Sequence, residues 1–287
     1  MMKIYLIIFL FINTFIFSQI KGKIVDTNNQ PISFVSIAVE NENIGATSEE
    51  NGDFIINTSG KNKNLVFSAL GFEKKIIAAN AAQNVVLTPS LFQLNEVVIV
   101  KKYGTKTIEI GKTDNRSSSA FDNGPKIDAK YFPYLYKYKK TPFIKQVAIQ
   151  TDSKIENASF KIHFYGVDVN GFPGNELLLK NFIVTVNSGI KKTLFNLTDY
   201  NLKMPQNGIF VAFEKLIIEK NKLERNIISK NTDEVKIQKI YFPWVLYNYV
   251  ERDFLFTFSG GKWSKQSREA PNKIMLYEPA IHLVLSN

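Results

Sequence analysis

The chain of 287 residues contains no cysteine. That absence excludes disulfide scaffolds, Cys-ligated zinc, iron–sulfur clusters, thiol nucleophiles and lipid attachment through an N-terminal Cys. Histidine is nearly absent too, with His163 and His282 as the sole imidazoles. His163 precedes Phe164-Tyr165-Gly166 and His282 precedes Leu283-Val284-Leu285, so neither has a carboxylate close by in sequence. A zinc peptidase needs such carboxylates, because its protein ligands must converge and leave one position for water. Both histidines therefore read as packed or edge-facing strand residues, and no imidazole-bound metal is expected. The Gly-x-Ser-x-Gly elbow, the phosphate loop and the dinucleotide fingerprint are missing as well. The stretch Asp168-Val169-Asn170-Gly171 lacks the well-spaced bidentate carboxylate of a calcium loop and reads as a hairpin turn. The expectation is a chain with no catalytic residues, no cofactor and no metal.

Long apolar runs are also scarce. Ile4–Ile12 is nine consecutive apolar residues after Met1-Met2-Lys3, followed by Asn13, Thr14 and Phe15-Ile16-Phe17-Ser18. As a helix, residues 4–17 would span about 21 Å against roughly 30 Å of hydrocarbon, so the segment suits a secretory signal better than a membrane anchor. Cleavage after Ser18 would start the mature chain at Gln19, although Ile16 is bulkier than the small residue usual at that position. No later window offers 18 apolar residues in a row, so no transmembrane span is expected in the mature chain.

Charge is unevenly spread. Residues 20–100 carry 6 Lys and no Arg against 8 acids, whereas residues 101–287 carry 29 bases against 18 acids. The steepest segment, 101–145, has 11 bases and 4 acids. Such a patch attracts anionic partners, but solvated lysines also keep strand edges from pairing. No nucleic-acid motif accompanies the charge and export removes the usual partner, so nucleic-acid binding is not expected.

What the chain has in quantity is strand-forming sequence, including 23 Phe. Seven runs rich in β-branched and aromatic residues fall at 20–25, 34–39, 53–57, 65–70, 73–78, 85–88 and 96–100. Between them lie turn signals, of which Asn51-Gly52 is the sharpest because both residues tolerate positive φ. Alternation such as Val35, Ile37 and Val39 against Phe34, Ser36 and Ala38 buries one face per strand, which predicts a two-sheet sandwich.

The landmarks Gly22-Lys-Ile-Val-Asp26, Pro31-Ile-Ser-Phe-Val-Ser-Ile37, Gly45-Ala-Thr47, Asn51-Gly-Asp-Phe54, Leu65-Val-Phe-Ser68, Gly71-Phe72 and Leu94-Asn-Glu-Val-Val98 occur in order. Residues 20–100 thereby resemble the carboxypeptidase regulatory-like domain family. The resemblance implies a transthyretin-like β-sandwich. Relatives of this kind sit beside metallocarboxypeptidase domains or at the N-termini of outer-membrane transporters of Gram-negative bacteria. The peptidase activity does not carry over, because the zinc-ligand pattern is missing. No plug or run of barrel strands follows either.

Residues 101–130 read as a linker or long loop, with an edge strand at 107–111, and 131–287 as a second, larger sandwich. Nine strand runs from Lys145 to Leu285, separated by turns such as Ser259-Gly-Gly-Lys262, suggest a jelly roll loosely like those of adhesins and carbohydrate-binding modules. The predicted architecture is all-β. Two aromatic clusters stand out, Tyr131–Tyr138 and Tyr241–Tyr249, each interrupted by proline (Pro133, Pro243) and so read as loops or edges. Alternate rings in them are expected to pack into the sandwich. Trp244, Tyr247, Tyr249 and Trp263 are the candidates for stacking on a ligand. The functional expectation is an exported, non-catalytic envelope protein serving as a structural or protein-interaction module, or else binding carbohydrate. Its partner would be an envelope protein or a glycan, in the periplasm, at the outer membrane or outside the cell.

Overall fold

The computed structural model describes residues 18–58, 60, 62–90, 104–112, 118–122, 124–228, 235–267 and 273–287. All of the predicted signal segment except Ser18, together with Leu94–Val98, lies outside these. Among the described residues there are strands and short 3-10 turns and no α-helix.

Seven strands build the first sandwich: β1 (Ser18–Asp26), β2 (Ser36–Val39), β3 (Gly45–Thr47), β4 (Asp53–Thr58), β5 (Asn64–Ser68), β6 (Lys75–Ala78) and β7 (Asn84–Leu87). One sheet has the order β4-β1-β7 and the other β3-β2-β5-β6. The alternation works as the sequence predicts. In β4, Phe54, Ile56 and Thr58 are buried while Asp53, Ile55 and Asn57 are exposed. Ile24, Phe54, Ile56 and Val85 meet Ile37, Leu65 and Phe67 of the other sheet in one core. Asn51-Gly52 does make a tight turn, with φ +81° at Gly52. It joins β3 to β4, which lie in different sheets, so it carries the chain across the sandwich instead of closing a hairpin.

The rest of the chain forms β8 (Thr107–Ile110), β9 (Ser118–Phe121), β10 (Ile127–Phe132), β11 (Phe143–Ser153), β12 (Ala158–Val167), β13 (Pro173–Glu176), β14 (Phe182–Val186), β15 (Gly189–Asn196), β16 (Ile209–Lys215), β17 (Lys222–Ile228), β18 (Val235–Tyr241), β19 (Trp244–Arg252), β20 (Phe254–Ser259), β21 (Lys262–Ser267), β22 (Ile274–Pro279) and β23 (Ile281–Ser286). Two antiparallel sheets of seven strands face each other. The first runs β13-β12-β16-β10-β20-β21, with β14 also on β12; the second runs β22-β19-β11-β23-β8, with β15 on β11 and β9 on β19. The chain crosses repeatedly between them, as in a jelly roll. Phe160, Phe164, Val211 and Phe213 of the first sheet pack on Val147, Ile149, Val245 and Leu283 of the second. Strands β17 and β18 form a separate hairpin.

Two expectations need correction here. Within the span read as a linker, 101–130, β8 falls where the edge strand is expected, but β9 and the start of β10 are strands too, because Phe121 and Ile127 have apolar surface to bury on the sandwich. The aromatic run after Pro243 is not a loop. It is β19, paired with β9, β11 and β22.

The two sandwiches meet along a polar seam. Lys161 on β12 donates from Nζ to the carbonyl of Phe34 at 2.5 Å, and Phe34 holds an unusual positive φ of +56°. The backbone N–H of Ile217 donates to Thr47 Oγ1 at 3.0 Å and that of Glu219 to Glu49 Oε1 at 2.8 Å. A second contact grips the β20–β21 turn, where Asn41 N–H donates to Gly260 O at 3.1 Å and Lys74 Nζ to Gly261 O at 2.6 Å. Gly260 has φ +59°, and a Cβ there would lie 2.9 Å from Asn41 Cα, so the turn needs glycine.

Beside Lys161, which also pairs with Glu214 at 3.4 Å, His163 sits between two carboxylates, Nδ1 at 2.8 Å from Glu176 and Nε2 at 2.7 Å from Glu214. The carboxylates are cross-strand neighbours, since Glu176 on β13 stands opposite Tyr165 and Glu214 on β16 opposite Lys161. His163 is the packed strand residue expected, but the lack of a carboxylate close by in sequence does not carry over to the fold, because chain distance does not report cross-strand distance. Burial alone lowers the pKa of the ring, but the hydrogen bonds and charges of Glu176 and Glu214 outweigh it and raise it from 6.5 to about 9. Glu214 is likewise opposed by burial, yet Lys161 and His163 bring it from 4.5 down to about 2.

A raised histidine pKa stabilises the fold fully below 6.5, and this contribution is lost as the pH rises through about 9. The depressed Glu214 contributes above 4.5 and loses its effect as the pH falls through about 2. Replacing His163 by Gln is expected to lower the melting temperature most at about pH 6. The gap from wild type should close as the pH is raised past 9, as followed by thermal unfolding across a pH series. A gap independent of pH would contradict the assignment.

Candidate functional site

β10 reads Ile127-Asp-Ala-Lys-Tyr-Phe132. Period-2 alternation sends Ile127, Ala129 and Tyr131 to one face and Asp128, Lys130 and Phe132 to the other. The first set packs with Phe210, Ala212 and Phe256 on the outer side of its sheet. The second faces the opposite sheet, so an aspartate and a lysine lie between the sheets, both buried. Buried charge is costly unless it is paired and hydrogen-bonded. Each of these charges has its partners, and each borders a recess at this end of the sandwich.

Asp128 accepts hydrogen bonds from Tyr247 Oη at 2.9 Å and from Thr257 Oγ1 at 2.6 Å. Burial raises its pKa, while the two hydroxyl donors and the charge of Lys126 oppose that rise. Around it opens a cavity of about 450 Å³ lined by Phe121, Lys126, Tyr247, Tyr249, Gln266 and Tyr277, among others. Tyr249 and Tyr277 stand opposite each other on β19 and β22 with ring centroids 4.9 Å apart. Phe121 from β9 meets Tyr277 edge-on at 4.9 Å and Tyr247 at 5.7 Å. Tyr247 is 3% exposed and belongs to the wall, whereas Tyr249 and Tyr277 are 41% and 44% exposed and offer surface to a ligand. The cavity thus combines an aromatic platform with a carboxylate, a hydroxyl, an amide and an ammonium. That is the composition of a binding cleft, apolar faces beside a few placed polar groups.

The four predicted aromatics are divided. Tyr247 and Tyr249 come together in this cavity. Trp244 does not join them: it is half-buried, stacks on Phe242 at 5.2 Å, and donates from Nε1 to Tyr241 O at 3.0 Å. Trp263 lies on the outer face of the other sheet, edge-on to Tyr165 at 5.5 Å and packed on Phe258 at 5.3 Å. Both indoles are held by neighbouring rings, so neither serves the cavity. Phe121, Asp128, Thr257, Gln266 and Tyr277 were not foreseen. The available signal was an aspartate and a lysine alternating inside a strand-like run that ends in Phe132.

Among the described residues, no group of three His, Cys, Asp or Glu side chains is placed to hold a metal ion. Both nitrogens of His163 are engaged by carboxylates. His282 is buried on β23, where burial first, then the cations Lys192, Lys130 and Lys112, depress its pKa to about 4 against the pull of Glu109. Asp168 makes the expected turn, its Oδ1 accepting the backbone N–H groups of Asn170 and Phe172, each at 2.8 Å.

Replacing Tyr247 by Phe removes a hydroxyl donor from the buried carboxylate of Asp128. The expected loss of stability is about 1–3 kcal/mol by urea unfolding. Tyr249→Ala, at a half-open ring, should cost less than Tyr247→Phe. The reverse order would place Tyr249, not Tyr247, in the structural wall.

Comparison with known proteins bears on the first sandwich. Residues 20–99 match the family model described as the CarboxypepD_reg-like domain. The chain has no match among curated proteins. Among solved structures it is similar to a DUF3823 family protein from Bacteroides ovatus, with 11% identity over 82% of this chain and 97% of that one. The TM-score is 0.21. The β-sandwich formed by the first seven strands is accordingly the part of the chain that matches the carboxypeptidase regulatory-like domain, and its fold is transthyretin-like.

Proposed function

We propose that this protein is an exported, non-catalytic binding module of the cell envelope, and that it contacts a glycan through the cavity between β9, β10 and β19–β22. The observation that carries this reading is the pair of half-open rings, Tyr249 and Tyr277, beside the hydrogen-bonding groups of Asp128, Thr257 and Gln266. Sugars present apolar C–H faces and a rim of hydroxyls, so they are matched by flat rings next to fixed polar atoms. A protein partner would be favoured by a broader apolar surface than this cavity provides. In this reading the regulatory-like sandwich acts as a buttress. It holds the β20–β21 turn through Asn41 and Lys74, and that hairpin supplies Thr257 and Gln266 to the cavity.

Export is motivated by the sequence of residues 1–18. Deleting them should leave the protein in the cytoplasm, while the full-length chain fractionates with the envelope. A full-length chain recovered in the cytoplasm would refute the export step.

Binding is tested on a glycan array, followed by calorimetric titration of any hit. Tyr249→Ala and Tyr277→Ala should each weaken binding by about tenfold, the scale of one lost stacking contact. Trp263→Ala and Trp244→Phe should leave it unchanged. An array with no hits, or a hit indifferent to both tyrosines, would remove this reading and return the choice to a protein partner.

A further inference from the structure

The second charge on the inner face of β10 borders a separate recess. It measures about 420 Å³ and is walled by Ile110, Tyr131, Phe132, Tyr138, Phe254 and Leu255. Lys130, Glu278 and Arg252 also line it. Lys130 Nζ lies 2.8 Å from Glu278 Oε1 and donates to Gly111 O at 2.8 Å. Arg252 holds the same carboxylate through two bonds, Nε to Oε2 at 2.7 Å and Nη2 to Oε1 at 2.8 Å. Two cations therefore share one anion at a site where Lys130 and Glu278 are 2% and 4% exposed. Lys130 and Glu278 pair in the interior and the remaining positive charge falls to Arg252 at the rim, while burial lowers the pKa of Lys130, with Arg252 adding to the effect against Glu278.

The donor inventory points the same way. A guanidinium has five N–H groups. Arg252 uses its Nε–H and one Nη2–H on Glu278, and one Nη1–H on Glu251 O at 2.9 Å. One N–H on each terminal nitrogen is left among the described residues. A guanidinium with a donor left on each terminal nitrogen can grip a carboxylate with two parallel bonds. The group is 38% exposed, so its outer end is reachable from solvent. Asp253 stands exposed at the lip, where its charge, weakened by water, opposes an incoming anion.

We infer that this recess is a second binding site, one that takes a monocarboxylate with an apolar or ring-shaped body, the carboxylate on the end of the Arg252 fork and the body against Tyr138, Phe254 and Leu255. The ligand supplies the one negative charge that the Lys130–Glu278–Arg252 group lacks. The inference does not depend on glycan binding at the tyrosine platform. A free small acid and the uronic acid residue of an acidic glycan share this chemistry.

The test is calorimetric titration of the full chain with phenylacetate and with glucuronate, using phenylacetamide and glucose as uncharged counterparts. Saturable binding of a carboxylate but not of its counterpart is expected. Preference for phenylacetate identifies a free acid as the natural source, and preference for glucuronate an acidic glycan. Arg252→Lys keeps the charge but removes the fork, and should weaken binding by about tenfold. Asp253→Asn, an exposed change with little risk to folding, should tighten carboxylate binding several-fold and leave the uncharged compounds unaffected. Tyr249→Ala should leave this site intact, which separates it from the other cavity. Absence of binding by both acids, equal binding of the uncharged compounds, or indifference to both Arg252→Lys and Asp253→Asn would overturn the assignment.

Discussion

The buried charges of β10 set the terms for the larger sandwich. A strand between two apolar sheets ordinarily directs aliphatic side chains inward, and here the inward positions are Asp128, Lys130 and Phe132. Removing one partner from such a charge leaves it desolvated and uncompensated, at a cost of about 3–5 kcal/mol. The opposite sheet must therefore supply a matching group at each position. Tyr247 on β19 meets Asp128, and Glu278 on β22 meets Lys130. These contacts tie β10 to specific residues of β19 and β22 and so define the register in which the two sheets approach. They also account for the cavities. Polar side chains with directional partners do not interdigitate as Val and Leu do, so cavities border these charges, whereas Phe160 and Phe164 lie fully buried in the apolar core.

The same logic governs the seam between the modules. Lys161, His163 and Glu214 sit on the outer faces of β12 and β16, positions that would be solvated if the larger sandwich stood alone. Contact with the regulatory-like domain covers them, and covering them demands neutralisation. The alternation of charge along the group, Lys161 to Glu214 to His163 to Glu176, provides it. Phe34 completes the arrangement by holding a positive φ that aims its carbonyl at Lys161. A bulky residue keeps such a conformation only where surrounding contacts over-determine it. A seam built from directional contacts fixes orientation between modules more strictly than an apolar interface of the same size, although it contributes less net stability.

Local pattern carried much of the fold. Alternation along β4 and the glycine turn at 259–262 depend on neighbours in the chain, and both are readable one segment at a time. What depends on cross-strand register was not readable. Glu176 and Glu214 lie far from His163 in sequence and come to it through β13 and β16. Proline misled in a specific way. Pro243 interrupts an aromatic run and suggested a loop, but it sits at the corner before β19, where no ladder hydrogen bond is required of it. Asp128 and Lys130 were hidden for the opposite reason, because polar residues that alternate with apolar ones look solvent-facing until the second sheet is in place.

Aromatic residues show why composition could suggest a binding surface without locating it. Tyr247, Tyr249 and Tyr277 share one cavity, yet their roles differ. Tyr247 is buried, bonded to Asp128 and met by the ring of Phe121, whereas Tyr249, two residues on along β19, stacks on Tyr277 and both of these rings stay half-open. By contrast Trp263 is on a strand whose outer face carries its own aromatic layer, with Phe258 and Tyr165 against it. Exposure of an aromatic side chain in a sandwich is thus decided by the cross-strand and cross-sheet partners at its own position, which residue type and local sequence do not report.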